Sequence, residues 1–231
     1  MFCEVMLVLV YLLNYPDKLG MAILEHLEIV IITTMISLPL AAFLTVVALH
    51  SKFVEKIFIH LFSVIYSIPS LAFFAILIPL TGLGKITAII VMVMYSQYIL
   101  LRNFVSGLHE VDPSVIEAAR GMGMTDRQIL LKIQVPLARN ALFTGIRLSI
   151  ISTIGIATIA AFINAGGLGN ILFDGLRSFN INKIMWGSIL SAALAIGMNL
   201  FLSKVEKLCC RKMIWHKVCK KNGEPVLGAD K

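Results

Sequence analysis

The residues best placed to act on something outside the chain lie between Asp112 and Pro136, DPSVIEAARGMGMTDRQILLKIQVP. Asp112-Pro113 is a helix start, a capping acceptor followed by proline at the first helical position. Ser114 and Glu117 fit a capping box one register later. The helix reads on through Glu117, Ala118, Ala119 and Arg120, and Gly121 and Gly123 interrupt it where a chain turns left-handed after a helix. Thr125 and Gln128 form a second capping box, and a second helix follows with Ile129, Leu130 and Ile133 on one side, stopped at Val135-Pro136. The chemistry on offer is recognition. Ala118 and Ala119 leave little side chain, so another surface can approach the backbone, and Glu117 and Arg120 flank that patch with opposite charges. Two readings fit: a docking element for a soluble partner, or an amphipathic helix resting on lipid headgroups.

Little else in the chain suggests catalysis. No Asp or Glu is expected deep within an apolar run, Glu28 lying at an edge. The five histidines (His26, His50, His60, His109, His216) are scattered, and Cys3, Cys209, Cys210 and Cys219 have no zinc-site spacing. No phosphate-loop pattern occurs; GLGK at Gly82–Lys85 has the wrong spacing. No catalytic residue, metal site or cofactor is expected.

The elements that must position the loop are membrane spans. The 231 residues are 58% hydrophobic and 14% charged, with a mean hydropathy of +0.90. A soluble domain carries about 25% charged residues. The apolar runs are continuous and about twenty residues long, the signature of spanning helices rather than strands. Five spans are expected, at about Leu27–Leu49, Ile57–Leu80, Ile86–Leu101, Leu142–Ile163 and Ile184–Ser203. Residues 1–26 read as an outer-face or interfacial segment, with a short apolar run at Val5–Leu13 ended by Asn14, Pro16 and Asp17. A truncated sixth span is the other reading of that run, and a signal peptide is not expected. Residues 27–203 read as one transmembrane unit and 204–231 as a basic tail. All but four of the 20 Lys and Arg residues fall on the face that receives the central loop and the tail; Lys18, Lys85, Arg177 and Lys183 fall on the other. That asymmetry puts the loop and C-terminus in the cytoplasm and the N-terminus outside. Basic residues placed beside apolar spans argue for the bilayer as partner and against nucleic acid.

Polar residues inside spans normally face the bundle interior or water. Ser67, Pro69 and Ser70 break the second span halfway, either as a tolerated kink or as a bend beside a pathway. Tyr95 and Tyr98, with Ser96 and Gln97 between them, crowd the third span, which ends at Arg102 and Asn103. Tyr66, Tyr95, Tyr98 and Trp186 are aromatics able to line a path or simply to pack. In the fourth span Gly145, Ser149, Thr153, Ala157, Ala161 and Ala165 recur every fourth position. Small residues at that spacing permit close helix packing, within the subunit or at a seam between subunits.

The spacing Glu117-Ala118-Ala119, three residues, Gly123, nine residues, Ile133, one residue, Val135-Pro136 resembles the EAA loop of membrane subunits of ATP-binding cassette importers, with Val135 where that pattern has Leu. IPSLAFFAILIPLTGLGK, LLRN at Leu100–Asn103, EAARGMGMT and AGGLG at Ala165–Gly169 look like the branch that imports glycine betaine, carnitine, choline and related osmoprotectants. This chain departs from that branch at Asn164 and Ala165, and at Gln97-Tyr98, where a proline is usual. The resemblance implies an all-α type I importer permease (MetI-like) fold with a cytoplasmic coupling helix. It also implies a bacterial inner-membrane location and no ATPase site of the chain's own. Glu117, Ala118, Ala119, Arg120, Gly121, Gly123, Ile133 and Pro136 would meet a cytoplasmic ATP-binding subunit. Pro69, Tyr95, Tyr98, Asn103, Gly166, Gly167 and Gly169 are the candidate pathway or gate residues. A second permease copy or paralogue and an extracytoplasmic substrate-binding protein complete the expected partners. Methionine- and phosphonate-type permeases share the skeleton and are the alternative; a membrane-embedded enzyme or a scaffold are more distant ones.

Overall fold

A computed structural model describes residues 16–221, with side chains through residue 208. The Val5–Leu13 run and the tail cysteines Cys209, Cys210 and Cys219 lie outside the described residues or side chains, as does Cys3. Among the described residues the fold is helical throughout: α1 (Pro16–Ala48), α2 (Lys52–Ser67), α3 (Ser70–Thr81), α4 (Lys85–His109), α5 (Pro113–Gly121), α6 (Asp126–Ile129), a π-helical turn (Leu130–Gln134), α7 (Val135–Ala160), a 3-10 turn (Ala161–Ile163), α8 (Leu168–Arg177) and α9 (Ile181–Lys221). Four helices are long and apolar enough to span a bilayer, five if the bent pair α2–α3 counts as one.

Three boundaries differ from the sequence reading, each for a physical reason. The first span begins at Pro16 rather than near Leu27. Proline is tolerated in a first helical turn, where its missing N–H would have no partner, and Asp17 favours that end of the helix dipole. Pro16 and Asp17 therefore open a helix instead of closing a segment. The second span is two helices bent by 97°. Pro69 is the N-cap of α3, and Ile68 before it is extended (φ −70°, ψ 130°) as a residue preceding proline prefers to be. Finally, Val135-Pro136 does not stop the helix. The Leu130–Gln134 turn widens it, and Val135 N–H bonds back five residues to the Leu130 carbonyl. That shift in register carries the chain past a proline that has no N–H to give. The result is a 38-residue helical run, Asp126–Ile163, with no loop in it.

The core lies where α4 crosses α1 and α7. Ile29, Val30, Phe74, Val91, Met92, Ile154 and Ala157 are buried there. Lipid tails are as apolar as leucine, so close packing and interhelical hydrogen bonds must hold such a bundle. The small-residue row supplies the packing: Gly145, Ser149, Thr153, Ala157, Ala161 and Ala165 are all buried within this one chain. A methyl at Gly145 would sit 2.7 Å from Asn103 Cβ, so α4 and α7 touch almost backbone to backbone. Ser96 and Thr153 share a hydrogen bond across that seam at 3.2 Å. Gln97, where the resembled branch has proline, donates to the Ser37 carbonyl of α1 at 3.2 Å.

Candidate functional site

The Asp112–Pro136 segment folds as its local signals require. Asp112 accepts the Ser114 N–H at 2.9 Å, and that bond holds its carboxyl below the ordinary carboxylate range. The Ser114–Glu117 box does not form the cap; Asp112 does. After α5 the Met124 N–H bonds the Ala119 carbonyl and the Gly123 N–H bonds the Arg120 carbonyl, with Gly123 at φ +80°. These two bonds and the left-handed residue are a Schellman motif. The Thr125–Gln128 capping box is complete in both directions.

Those caps aim α5 outward. Glu117, Ala118, Arg120, Gly121 and Gly123 are exposed, and so are the apolar Val115 and Met122 at 39% and 75%. Val115, Ala118 and Met122 recur at helical spacing and form an apolar stripe edged by charge. The alanine pair divides: Ala118 is open, whereas Ala119 is wholly buried. Ala119 is small because it faces inward, so the approachable surface is Ala118 with its two apolar neighbours. Arg120 pairs with Asp126 at 3.1 Å, but both side chains are exposed and the pair adds little. Beneath the loop Ile116, Leu130 and Val135 pack on Leu108, Val111 and Ala138 where α4 ends and α7 begins. Ile133, in the π-helical turn, and Pro136, in the first turn of α7, are half-buried.

The candidate pathway residues fall into three places. Pro69, Tyr95 and Tyr98 meet at the α2–α3 bend. The Tyr95 hydroxyl donates to the Ile68 carbonyl that the bend frees. Its ring lies 5.5 Å from Tyr66 on one arm and 5.8 Å from Phe73 on the other. With only 5% exposure, Tyr95 is a wedge inside the bend. Tyr66 lies 4.9 Å from Tyr98, with the rings tilted by 32°, and is the exposed tyrosine of the group. Arg102 donates to the Tyr98 hydroxyl at 2.8 Å. Asn103 is held apart, turned back on its own helix by a 2.7 Å bond to the Ile99 carbonyl.

Gly166, Gly167 and Gly169 form a separate joint at the opposite end of α1 from the loop. Ala48 and Glu25 are 23 residues apart on that helix, which at 1.5 Å per residue is about 35 Å. Gly167 has φ +81° and donates its N–H to the Glu25 carboxylate at 2.9 Å. A methyl at Gly167 would press on His26, and one at Gly169 would overlap the Thr158 carbonyl. Sequence reasoning missed Glu25 and His26. The available signal was a carboxylate three residues before Glu28 in a long, mostly apolar helix, which in a membrane demands a partner. Nearby, Asp174 is held below its ordinary range, chiefly by its hydrogen bond to Lys183, with Arg177 and Lys18 adding positive charge.

A helical bundle with several apolar spans, a broken span and an outward-facing double-capped loop on one end defines a polytopic membrane transport subunit. The pattern of the family described as "Binding-protein-dependent transport system inner membrane component" matches residues 34–214, and the chain belongs to that family of ATP-binding cassette importer permeases. It is 35% identical to the carnitine transport permease protein OpuCB of Listeria monocytogenes over 182 residues, 79% of this chain and 84% of that one. It is 36% identical to the choline transport system permease protein OpuBB of Bacillus subtilis, with the same coverage of each chain. The osmoprotectant import permease protein OsmW of Salmonella typhimurium is 30% identical over 88% of this chain and 97% of its own. The fold matches that of the MetNI methionine ABC transporter in an inward-facing conformation, with a TM-score of 0.73 and 22% identity over 84% of this chain and 97% of that one.

Proposed function

We propose that this permease carries a small quaternary-ammonium osmoprotectant, of the glycine betaine, carnitine and choline class. The relatives' named solutes support that class, and all three are small cations or zwitterions of one chemistry. In this reading ATP is hydrolysed by a separate cytoplasmic subunit that receives α5 in a cleft. Glu117, Ala118 and Arg120 make the contact, with Val115 and Met122 completing it. An extracytoplasmic binding protein delivers solute at the Gly166–Gly169 end, and a second permease copy or paralogue closes the pathway. Residues 27–203 act as the transmembrane unit and the basic tail stays cytoplasmic. The gathering of Lys18, Arg177 and Lys183 about Asp174, far from the loop, supports the charge-based orientation.

The observation that carries the coupling role is the unbroken Asp126–Ile163 run. A force on α5 passes through the Schellman turn into α6, and from α6 through the π turn into a spanning helix without crossing a flexible link. Glu117 and Ala118 receive the push, Gly123 keeps the corner, and Ile133 and Pro136 transmit it. Tyr66, exposed at the bend beside Tyr98, is the aromatic able to meet a quaternary ammonium ion in the pathway. Pro69 and Tyr95 hold that bend, and Asn103 and the glycines act as packing for the gate.

Uptake of labelled glycine betaine, carnitine and choline, in a strain lacking this chain and re-supplied with it, tests the solute class. Restored uptake of at least one is the expected outcome. Uptake of methionine or a phosphonate in their place would contradict it.

A further inference from the structure

Glu25 belongs to no motif, yet it joins two segments 142 residues apart. Its carboxylate reaches from α1 to the amide of Gly167, the N-cap of α8. A helix N-terminus carries partial positive charge and unsatisfied N–H groups, so a carboxylate is the favoured partner there. The neighbouring glycines are shaped to it. A methyl at Gly166 would stand 2.9 Å from Glu25 Oε2, and one at Gly167 would stand 3.2 Å from His26 Cα. Side chains at these positions would push the carboxylate off the amide.

The position of α8 matters because α8 seats α9. Almost none of the spanning stretch of α9 is buried within the chain. Methyl groups at Gly175 and Gly187 would lie within 3 Å of Ile184 and Leu172 respectively, so α8 and α9 meet at near-backbone distance. Gly169 fixes the other side of α8 against Thr158 of α7. Towards α1, Glu25 supplies the hydrogen bond at the joint, and His26 supplies the contact.

We propose that Glu25 is a positioning residue: it caps α8 from α1 and so fixes the seat of α9, the least supported spanning helix. The hydrogen bond, rather than the charge, sets the geometry. The glutamine amide oxygen can accept the same N–H. The test uses the full chain assembled with its ATPase and binding protein in liposomes, comparing wild type, Glu25→Ala and Glu25→Gln. Amide hydrogen exchange across Gly167–Gly169 is read first, without solute, and solute uptake per ATP hydrolysed second. In Glu25→Ala those amides exchange about tenfold faster and uptake per ATP falls, since a part-buried bond to a charged acceptor is lost. In Glu25→Gln both stay within about twofold of wild type. Wild-type exchange in Glu25→Ala overturns the proposal, and so does a Glu25→Gln protein that exchanges as fast as Glu25→Ala. If Glu25→Ala does not assemble, the protection of Gly167 in Glu25→Gln decides alone. Exchange is measured with no solute present, so its outcome stands apart from the solute class.

Discussion

Gly123 and Gly167 share a positive φ, +80° and +81°, and have opposite surroundings. Around Gly123 there is open space, with nothing within 4 Å of an added methyl. Around Gly167 the backbone and ring of His26 stand at 3.0–3.2 Å. The first glycine is required only for its dihedral, at a corner that must stay on the surface. The second is required for its dihedral and for its missing volume, at a joint that must close. The two ends of the molecule differ in the same sense. The loop end is built from local caps and leaves its outer face free; the glycine end is built from contacts between distant helices.

The sharpest way to break this contrast is to fill the joint. Gly169→Ala places a methyl on the Thr158 carbonyl, where backbone must move, and is expected to cost about 3 kcal/mol or more. The amount of protein recovered in the membrane and its thermal unfolding check this. Gly167 (φ +81°, ψ −168°) sits in a region nearly reserved for glycine, so Gly167→Ala adds a backbone penalty to a tight contact with His26 and should cost about 2 kcal/mol or more by the same measurements. Gly123→Ala meets no neighbour, so only the dihedral penalty of about 1 kcal/mol applies. Protein recovery stays normal in Gly123→Ala, and transport slows because the corner is strained; Gly123→Asn, which tolerates the left-handed region, should be milder. If Gly123→Ala proved as disruptive to assembly as Gly169→Ala, the contrast would fail. The smallest effect is electrostatic. The folded-state pKa of Asp112 is depressed by the Ser114 amide, so its cap is fully effective above the ordinary carboxylate range and weakens as pH falls through the lowered value. Asp112→Asn keeps an acceptor and should remove that acid dependence of loop protection in amide exchange.

What could be read in the sequence follows the same division. Asp112, Gly123 and the Thr125–Gln128 box act within a few residues of themselves, so their types and spacing were enough to place a helix, a corner and a helix. Apolar run length located four long spanning helices and the apolar stretch that forms the bent pair α2–α3, five spans if that pair counts as one. The boundaries that moved did so where a proline allows two outcomes: Pro16 and Pro136 each occur at a helix start as readily as after a helix end, and neighbouring packing decides. The 97° bend at Pro69 depends on Tyr95, Tyr66 and Phe73 coming together from three helices. Ala119 belongs to the Glu-Ala-Ala signature as much as Ala118 does, but only the packing of α5 on its underside shows that one alanine is buried and the other offered. For Glu25 the sequence offered only a carboxylate in a long apolar helix; its partner was not legible, being a backbone amide 142 residues away that no side-chain pattern records.

The central claim is that α5 transmits the work of a separate ATPase into the spanning helices through Glu117 and Ala118. The most direct measurement is solute-stimulated ATPase activity together with uptake, in liposomes holding the complete importer with either wild-type or Glu117→Arg permease. Glu117 is exposed and makes no intramolecular ion pair among the described side chains, so the variant should assemble normally. The account predicts that Glu117→Arg lowers uptake and solute-stimulated hydrolysis together by at least about tenfold, the size expected when a charge is reversed at a contact. Wild-type uptake and wild-type stimulation in that variant, with the ATPase still bound, would contradict it.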